Sequence, residues 1–377
     1  MAQSRRDALL HSPQGMPRLN LVVIGASAGG LQALLDIFLE LTPQVAVPIL
    51  VVVHTPAGRE SNLPDVLSRG GNLPVSFVER DQVLRNGHVY VAPPDQHVLV
   101  TGTGATLNHG PKENGFRPAI DPLFRSAARI HGSRVMGIIL SGALDDGVYG
   151  LKMIKDAGGV TVAQDPAEAV VPSMPLSALR YVAVDHVLRT RSIAALISES
   201  AGTPEEKTAM ARKTKHDDPD QQPSMTIDEM KRAYGPASAL SCPDCGGALW
   251  EIEDGQLVRY RCHVGHQYSS QGLDNGQNDV VEEALWTAVR VLEEHADLRA
   301  RMSRRADMAG LDAVSSSFAE SADLAHRQAQ SIRDVLVANG MPAIGTSPNG
   351  SPVPSRPAAA PLKARTAAKR KASKTRR

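Results

Sequence analysis

The chain has 377 residues, a formal net charge of +1 and 42% hydrophobic residues, enough for one sizeable α/β core with smaller additions. Nine of its basic residues fall between Arg356 and Arg377 with no acid among them, so the rest of the chain is net −8, an acidic body joined to a basic tail. Aromatic residues make up only 3%, which argues against a base-stacking surface; no apolar run approaches the ~18 residues of a membrane span, and the start of the chain has no apolar signal core, so a cytoplasmic protein is expected.

Residues 1–18 are polar, include Pro13 and Pro17, and read as a flexible arm. Leu21, Val22, Val23 and Ile24 then form an unbroken apolar run, the pattern of a strand buried on both faces of a parallel sheet. Gly25, Gly29 and Gly30 permit a sharp reversal, after which Leu31, Leu34 and Leu35 fall at helical spacing. Ser27 therefore stands between a strand and the amino end of a helix, where N–H groups without helical partners can hold an oxyanion. Gly25-Ala26-Ser27-Ala28-Gly29 also matches the G-x-S-x-G of a nucleophile elbow. A nucleotide-binding turn competes with that reading, but the next strand, Ile49 to Val53, ends in His54 where ribose binding needs an acid. No Gly-Lys-Ser/Thr follows to support a phosphate loop, and a purely structural glycine turn stays open.

Further strands are predicted at Val135 to Leu140 and Val160 to Ala163, alternating with helical segments. This predicts an α/β domain over 19–200 with a doubly wound, mainly parallel sheet. The short runs between Val75 and Asn108 read as hairpins inserted at one edge. Strand carboxyl ends gather along one side of such a sheet, and ligands bind there. His54 is then a candidate general base. The loop Ser141-Gly142-Ala143-Leu144-Asp145-Asp146-Gly147 supplies carboxylates that can orient it. Each residue also has a bland reading, a hydrogen-bonded structural histidine and an Asp-Asp-Gly helix start.

The segments GASAGG, VVVHTP, VAPPDQH, FRPAIDPLF, LSGALDDGVYGL and QDPAEAVVPSMP, in this order and spacing, resemble the catalytic domain of the CheB-type chemotaxis protein-glutamate methylesterases over about half of the chain. The resemblance implies hydrolysis of glutamate methyl esters on the cytoplasmic helices of methylated chemoreceptors, with receptor glutamine deamidation in some members. It places the nucleophile on Ser27, the base on His54 and the acid on Asp146, with Asp145 as its neighbour, and it implies no cofactor for catalysis. Arg117 matches a position expected to face substrate, and His97 matches one read as structural. Three positions depart from the family pattern: Ala28 stands for threonine, Ala143 for methionine, and Phe116 for the histidine of a His-Arg-Pro. Only about 18 residues precede the first strand, so the receiver domain common in the family is not expected before it. The competing function is an esterase-like scaffold of little turnover that recruits signalling partners through its C-terminal additions.

Those additions begin with a solvated linker, expected over 201–239 from its Thr, Lys, Glu, Asp, Gln and Pro content. Over 240–275, Cys242-Pro-Asp-Cys245-Gly-Gly forms a metal knuckle, and Cys262-His263-Val264-Gly265-His266 supplies the remaining ligands. His263 adjoins Cys262 and points elsewhere, so structural zinc held by Cys242, Cys245, Cys262 and His266 in a zinc-ribbon-like module is expected. The alternative is three thiols in an unmetallated ribbon. Apolar residues at helical spacing predict a helical hairpin over 276–340, broken near Gly310. Residues 341–377 read as a disordered basic tail, for which a solvated end is preferred to binding of nucleic acid or anionic lipid.

Overall fold

Hydrophobic alternation in β1 (Leu21–Ala26) sends Val22 and Ile24 into one apolar layer and Leu21 and Val23 into another, and all six residues are buried. A strand that is apolar on both sides must be covered by helices on both sides. In this computed structural model, which describes residues 19–55, 61–200 and 225–338, that is what surrounds it. Helices α1 (Gly30–Glu40) and α6 (Thr190–Ser200) contribute Leu34, Ile37, Ile193 and Ile197 to the first layer. Helices α3 (Ile120–His131) and α4 (Val148–Asp156) contribute Ile120, Phe124 and Leu151 to the second, with Met174 and Ala178 of α5 (Ser173–Tyr181).

The sheet has seven strands, all paired in parallel, in the order β3-β4-β2-β1-β7-β8-β9. Its members are β1, β2 (Ile49–Val53), β3 (Val75–Phe77), β4 (Val89–Val91), β7 (Val135–Ile139), β8 (Val160–Gln164) and β9 (His186–Leu188). After β1 the chain builds outward on one side through β2, then crosses to the other side at β7. The carboxyl ends of β1, β2 and β7 therefore meet where the strand order reverses, the position at which open α/β sheets bind ligands.

The predicted doubly wound parallel sheet is present, with one correction. Between Val75 and Asn108 only β5 (His97–Thr101) and β6 (Gly104–Asn108) form a hairpin, as a separate two-stranded sheet. β3 and β4 instead extend the main sheet in parallel. Three-residue strands carry too little periodicity for their direction to be read from sequence.

The segment expected as linker is described only from residue 225, and there it is not wholly irregular. Thr226 caps α7 (Ile227–Tyr234), its hydroxyl accepting from the Glu229 N–H while the Glu229 carboxylate accepts from the Thr226 N–H. That reciprocal cap fits Ser/Thr-x-x-Glu, and Met230 is the buried residue of the helix. The ribbon follows as an antiparallel sheet of β10 (Leu249–Asp254), β11 (Leu257–Cys262) and β12 (Gln267–Ser269). Gly255, at φ 64°, makes the two-residue turn between β10 and β11. Cys242, Leu249, Cys262, Tyr268 and Leu273 form its small core.

Contacts divide the chain into one unit over Met1–Asp279 and a second over Val280–Arg377, so the ribbon belongs with the parallel-sheet fold. The helix α8 (Ser270–Met308) starts in the first unit; in the second, its part from Val280 onward pairs with α9 (Asp312–Ala338) through Trp286, Val289, Ala329 and Leu336, with Glu293 bonded to Arg333 at 2.5 Å. Gly310, at φ 68°, lies at the break between them. No helix among the described residues is long and apolar enough to cross a membrane. The arm at 1–18 and the tail at 341–377 lie outside the described residues.

Candidate active site

β1 delivers Ser27, β2 delivers His54, and the loop after β7 delivers Asp146. The structure brings the three together. Ser27 Oγ is 3.0 Å from His54 Nδ1, and His54 Nε2 is 2.7 Å from Asp146 Oδ2. An ionised carboxylate only accepts, so Nε2 carries the imidazole proton and Nδ1 presents its lone pair to the serine hydroxyl. The His54 side chain is 4% exposed and that of Asp146 1%. This serine-facing nitrogen is the one nearer the backbone, and either ring nitrogen can take a proton.

The turn that holds Ser27 differs from a strained elbow. The left-handed residue is Gly29, at φ 74°, and Ser27 is not among the residues with positive φ. A Cβ at Gly29 would come within 2.5 Å of Val170 and 2.8 Å of Ser141 Oγ, so glycine is required twice over. Ser141, fully buried, pins this turn: its carbonyl accepts from the Ser27 N–H at 3.0 Å, and its hydroxyl donates to the Ala28 carbonyl at 2.8 Å. Gly142 lies directly against Ser27, since a Cβ there would be 2.8 Å from Ser27 Cβ and 2.0 Å from the Met174 sulfur.

Asp146 is fully buried yet held as the anion. Burial alone pushes its pKa up, but hydrogen bonds and charge from His54, the Ile120 N–H and the Asn114 side chain bring it below the usual carboxyl value. Oδ2 accepts from Ile120 N at 2.7 Å as well as from His54, while Oδ1 accepts from Asn114 Nδ2 at 3.0 Å and Asp121 N at 3.4 Å. Ile120 opens α3, so the positive end of that helix faces the carboxylate. Asp121 behaves oppositely: burial first, then the neighbouring Asp146 charge, raises its pKa well above the ordinary value. Of these two neighbours, Asp146 carries the charge.

Asp145 points elsewhere and accepts from Ser269 Oγ at 2.5 Å. Burial raises its pKa to about 6, partly offset by the Ser269 bond and reinforced by Asp146. The unfolded chain ionises this group near 3.8, so the folded state binds the extra proton and loses stability as pH rises through about 6. The stability gained by Asp145→Asn over wild type should therefore grow by about 2–3 kcal/mol between the unfolded and folded pKa values and then level off, as measured by denaturant unfolding across pH.

Three residues that support this geometry were given no such role by the sequence. Phe116 stacks on the His54 ring, with centroids 3.7 Å apart and planes 6° apart, and so shields the relay from one side. Asn114 and Ser141 complete the support. The Asn114-Gly115 pair is a turn signal that accounts for the left-handed Asn114, at φ 51°, but says nothing of its partner. Arg117, matched to a substrate-facing position, has its guanidinium bonded to Asp95 at 2.8 and 2.9 Å and to the Gly110 carbonyl at 2.7 Å. His97 is buried, with Nε2 against the Pro111 carbonyl at 3.0 Å and Nδ1 accepting from Ala119 N at 3.2 Å, which braces the 111–119 loop. Ala28 and Ala143 are both exposed, at the rim and outside the relay.

In the ribbon, one ligand atom from each of Cys242, Cys245, Cys262 and His266 lies within 4.8 Å of all the others. Cys245 Sγ and Cys262 Sγ are 3.8 Å apart, and Cys262 Sγ is 3.5 Å from His266 Nδ1. A disulfide needs about 2.05 Å. A tetrahedral site with metal–sulfur bonds of about 2.3 Å and metal–nitrogen bonds of about 2.05 Å has S–S edges near 3.8 Å and S–N edges near 3.5 Å. The four side chains therefore fit a metal ion. The knuckle is closed by Cys242 N donating to the Gly247 carbonyl and Gly246 N donating to the Cys242 carbonyl, both at 2.8 Å.

Residues 22–197 match the CheB methylesterase family. A Leptospira interrogans relative, provisionally named protein-glutamate methylesterase/protein-glutamine glutaminase, is 38% identical over 176 residues, which is 46% of this chain and 91% of the relative. The Anaeromyxobacter dehalogenans protein-glutamate methylesterase/protein-glutamine glutaminase 2 is 41% identical over 52% of this chain and 57% of its own length. The Pyrococcus abyssi protein of the same name is 37% identical over 47% and 50%. This chain thus spans about half of the length of the latter two. The crystal structure of the Thermotoga maritima CheB methylesterase catalytic domain superposes with a TM-score of 0.46 at 33% identity, covering 48% of this chain and 98% of that domain. The match over nine-tenths of the Leptospira relative, on the segment that carries the parallel sheet and the Ser27, His54 and Asp146 loops, shows that this chain belongs to the CheB methylesterase family.

Proposed function

We propose that the chain is a protein-glutamate methylesterase that acts on the cytoplasmic helices of methylated chemoreceptors, and that the same site hydrolyses receptor glutamine amides. The observation that supports this most strongly is the continuous relay from Ser27 Oγ through His54 to a buried, ionised Asp146.

His54 Nδ1 takes the Ser27 proton as Oγ attacks the ester carbonyl, and the imidazolium is stabilised by Asp146. We assign the oxyanion to the N–H groups of Ala28 and Gly29 at the mouth of α1, those of Ser27 and Gly142 being engaged with the Ser141 and Val171 carbonyls. His54 returns the proton to the departing methoxide, so methanol leaves and an acyl-serine remains. Water, deprotonated by His54, attacks that acyl group; Ser27 regains its proton and the glutamate is released. With a glutamine the leaving group is ammonia and the steps are the same.

In the ribbon we assign Cys242, Cys245, Cys262 and His266 to a structural zinc ion. Four protein ligands leave no open position, so the ion supplies folding free energy and no reaction chemistry. With no membrane-spanning helix among the described residues and a substrate on cytoplasmic receptor domains, the reading places the enzyme in the cytoplasm.

A fluorophosphonate that reports activated serines tests the relay without any receptor. The full chain should add one adduct, located by peptide mass spectrometry on Ser27, and His54→Ala should slow labelling at least ~10³-fold. Labelling that is spread over other serines, or equally fast without His54, would refute the assignment.

A further inference from the structure

The residue that orients Asp146 is itself held by the ribbon. The 112–114 segment meets β12 through a single parallel bridge, Glu113 to Gln267: Asn114 N donates to the Gln267 carbonyl at 2.8 Å, and Gln267 N donates to the Lys112 carbonyl at 3.3 Å. The Asn114 side chain then acts at both ends. Its Oδ1 accepts from Ser269 N at 2.7 Å, and its Nδ2 donates to Asp146 Oδ1 at 3.0 Å. Ser269 N–H can only donate, so the amide oxygen must face β12 and the NH2 must face the triad acid. The 3.5 Å approach of the same NH2 to Asp121 Oδ2 agrees with that orientation.

The contact is built as an interior. Glu113 and Asn114 are each 7% exposed and Gln267 5%. The Arg125 guanidinium grips the Glu113 carboxylate at 2.7 and 2.8 Å, and Gln267 Nε2 donates to the same carboxylate at 3.4 Å. Leu257 of β11 joins the apolar layer of α3 and α4, and Arg259 lies 3.6 Å over the Tyr149 ring. β12 begins at the residue after His266, and β11 ends at Cys262. Two of the four candidate metal ligands thus bracket the turn that sets where β12 lies.

We infer that Asn114 is a positioning residue for the triad acid, and that the metal-loaded ribbon, through Gln267 and Ser269 of β12, sets its orientation and so makes the esterase metal-responsive. This rests on the esterase and zinc readings above. A ribbon without its cross-link lets β12 move, Asn114 loses the acceptor–donor pair that fixes its amide, and Asp146 loses one of the donors that hold it ionised and aligned with His54. Nothing happens at the metal itself.

The test uses the full chain as wild type, Asn114→Ala, Cys245→Ser and Asn114→Ala/Cys245→Ser, with the wild type also stripped by a chelator and reloaded with Zn²⁺. Two readouts are taken: kcat and KM for methanol release from a methylated receptor fragment, and the downfield NMR resonance of the proton between His54 Nε2 and Asp146, which needs no turnover. Asn114→Ala should lower kcat by ~10–100-fold at unchanged KM and shift the resonance. Cys245→Ser and chelation should do the same, the double variant should fall no further than either single one, and Zn²⁺ should restore the wild type but not Asn114→Ala. An unmoved resonance and unchanged kcat in stripped or Cys245→Ser protein would overturn the inference, as would losses that multiply in the double variant. If instead the loaded wild type released no methanol, the esterase reading would fail, and the resonance would still decide whether the ribbon positions Asp146.

Discussion

Asp146→Asn should lower kcat for methanol release by about 10⁴ while leaving KM within about twofold. The size follows from the donors around the carboxylate. Oδ2 accepts from His54 Nε2 and Ile120 N, and Oδ1 accepts from Asn114 Nδ2 and Asp121 N. A carboxamide has one acceptor oxygen, so whichever way it turns, its NH2 meets two donors. Facing His54, it forces the imidazole proton onto Nδ1, and the ring then has no lone pair for Ser27. Facing Asn114 and the start of α3, it leaves buried N–H groups opposed in the interior, a cost of about 1–3 kcal/mol each. Asp121 does not take its place, because its carboxylate is turned to the Gly150 N–H at 2.7 Å and the Asn114 amide at 3.5 Å rather than to His54. Steady-state kinetics of the purified variant, with folding checked by circular dichroism, measure this directly. A loss below tenfold would mean that Asp146 does not orient the base.

Cys242→Ser should abolish zinc binding and loosen β10, β11 and β12. Cys242 is 2% exposed and is one of five residues in the ribbon core, the others being Leu249, Cys262, Tyr268 and Leu273. Five side chains cannot offset the ordering entropy of a ribbon this size, and a structural zinc site contributes of order 10 kcal/mol in such a module. Elemental analysis should find about one zinc per wild-type chain and less than about a tenth of that in the variant. Hydrogen exchange should speed up in β10 to β12 and remain slow in β1 and β7, whose residues are buried on both faces of the large sheet. A metal-free wild type with a well-protected ribbon would contradict the zinc assignment.

The long apolar strands were legible because burial on both faces leaves no alternation to misread: Leu21 to Ile24, Ile49 to Val53 and Val135 to Leu140 all lie in the parallel sheet, and each ends at a residue of the candidate site. The partners were legible as residue types at strand ends, since a serine, a histidine and an acid at three neighbouring carboxyl ends is a chemical pattern. The four Cys and His side chains that the ribbon gathers within 4.8 Å of one another were legible from spacing alone. What could not be read is what reaches the site from far along the chain. Asn114 lies 32 residues before Asp146, and Ser269 lies 155 residues after Asn114; no periodicity or short motif links them. The pairing of Arg117 with Asp95, 22 residues earlier, was hidden for a related reason, since it depends on how two loops cross. β3 and β4 failed because three residues do not show whether a strand runs parallel to its neighbour or turns back on it.

The supporting residues also place the departures from the family pattern in physical terms. Ala28 and Ala143 are exposed and hold no part of the relay. Phe116, by contrast, touches His54, and a ring stacked on the imidazole restricts its rotation without offering it a proton.

The proposed chemistry depends on the Ser27 hydroxyl. Methanol release from a methylated receptor cytoplasmic fragment, followed with the full chain and with Ser27→Ala at equal concentration, is its most direct measurement. Wild type should release methanol in proportion to glutamate formed, and Ser27→Ala should lose at least ~10⁴ in rate. Equal release by the two proteins would show that the hydroxyl held 3.0 Å from His54 is not the nucleophile.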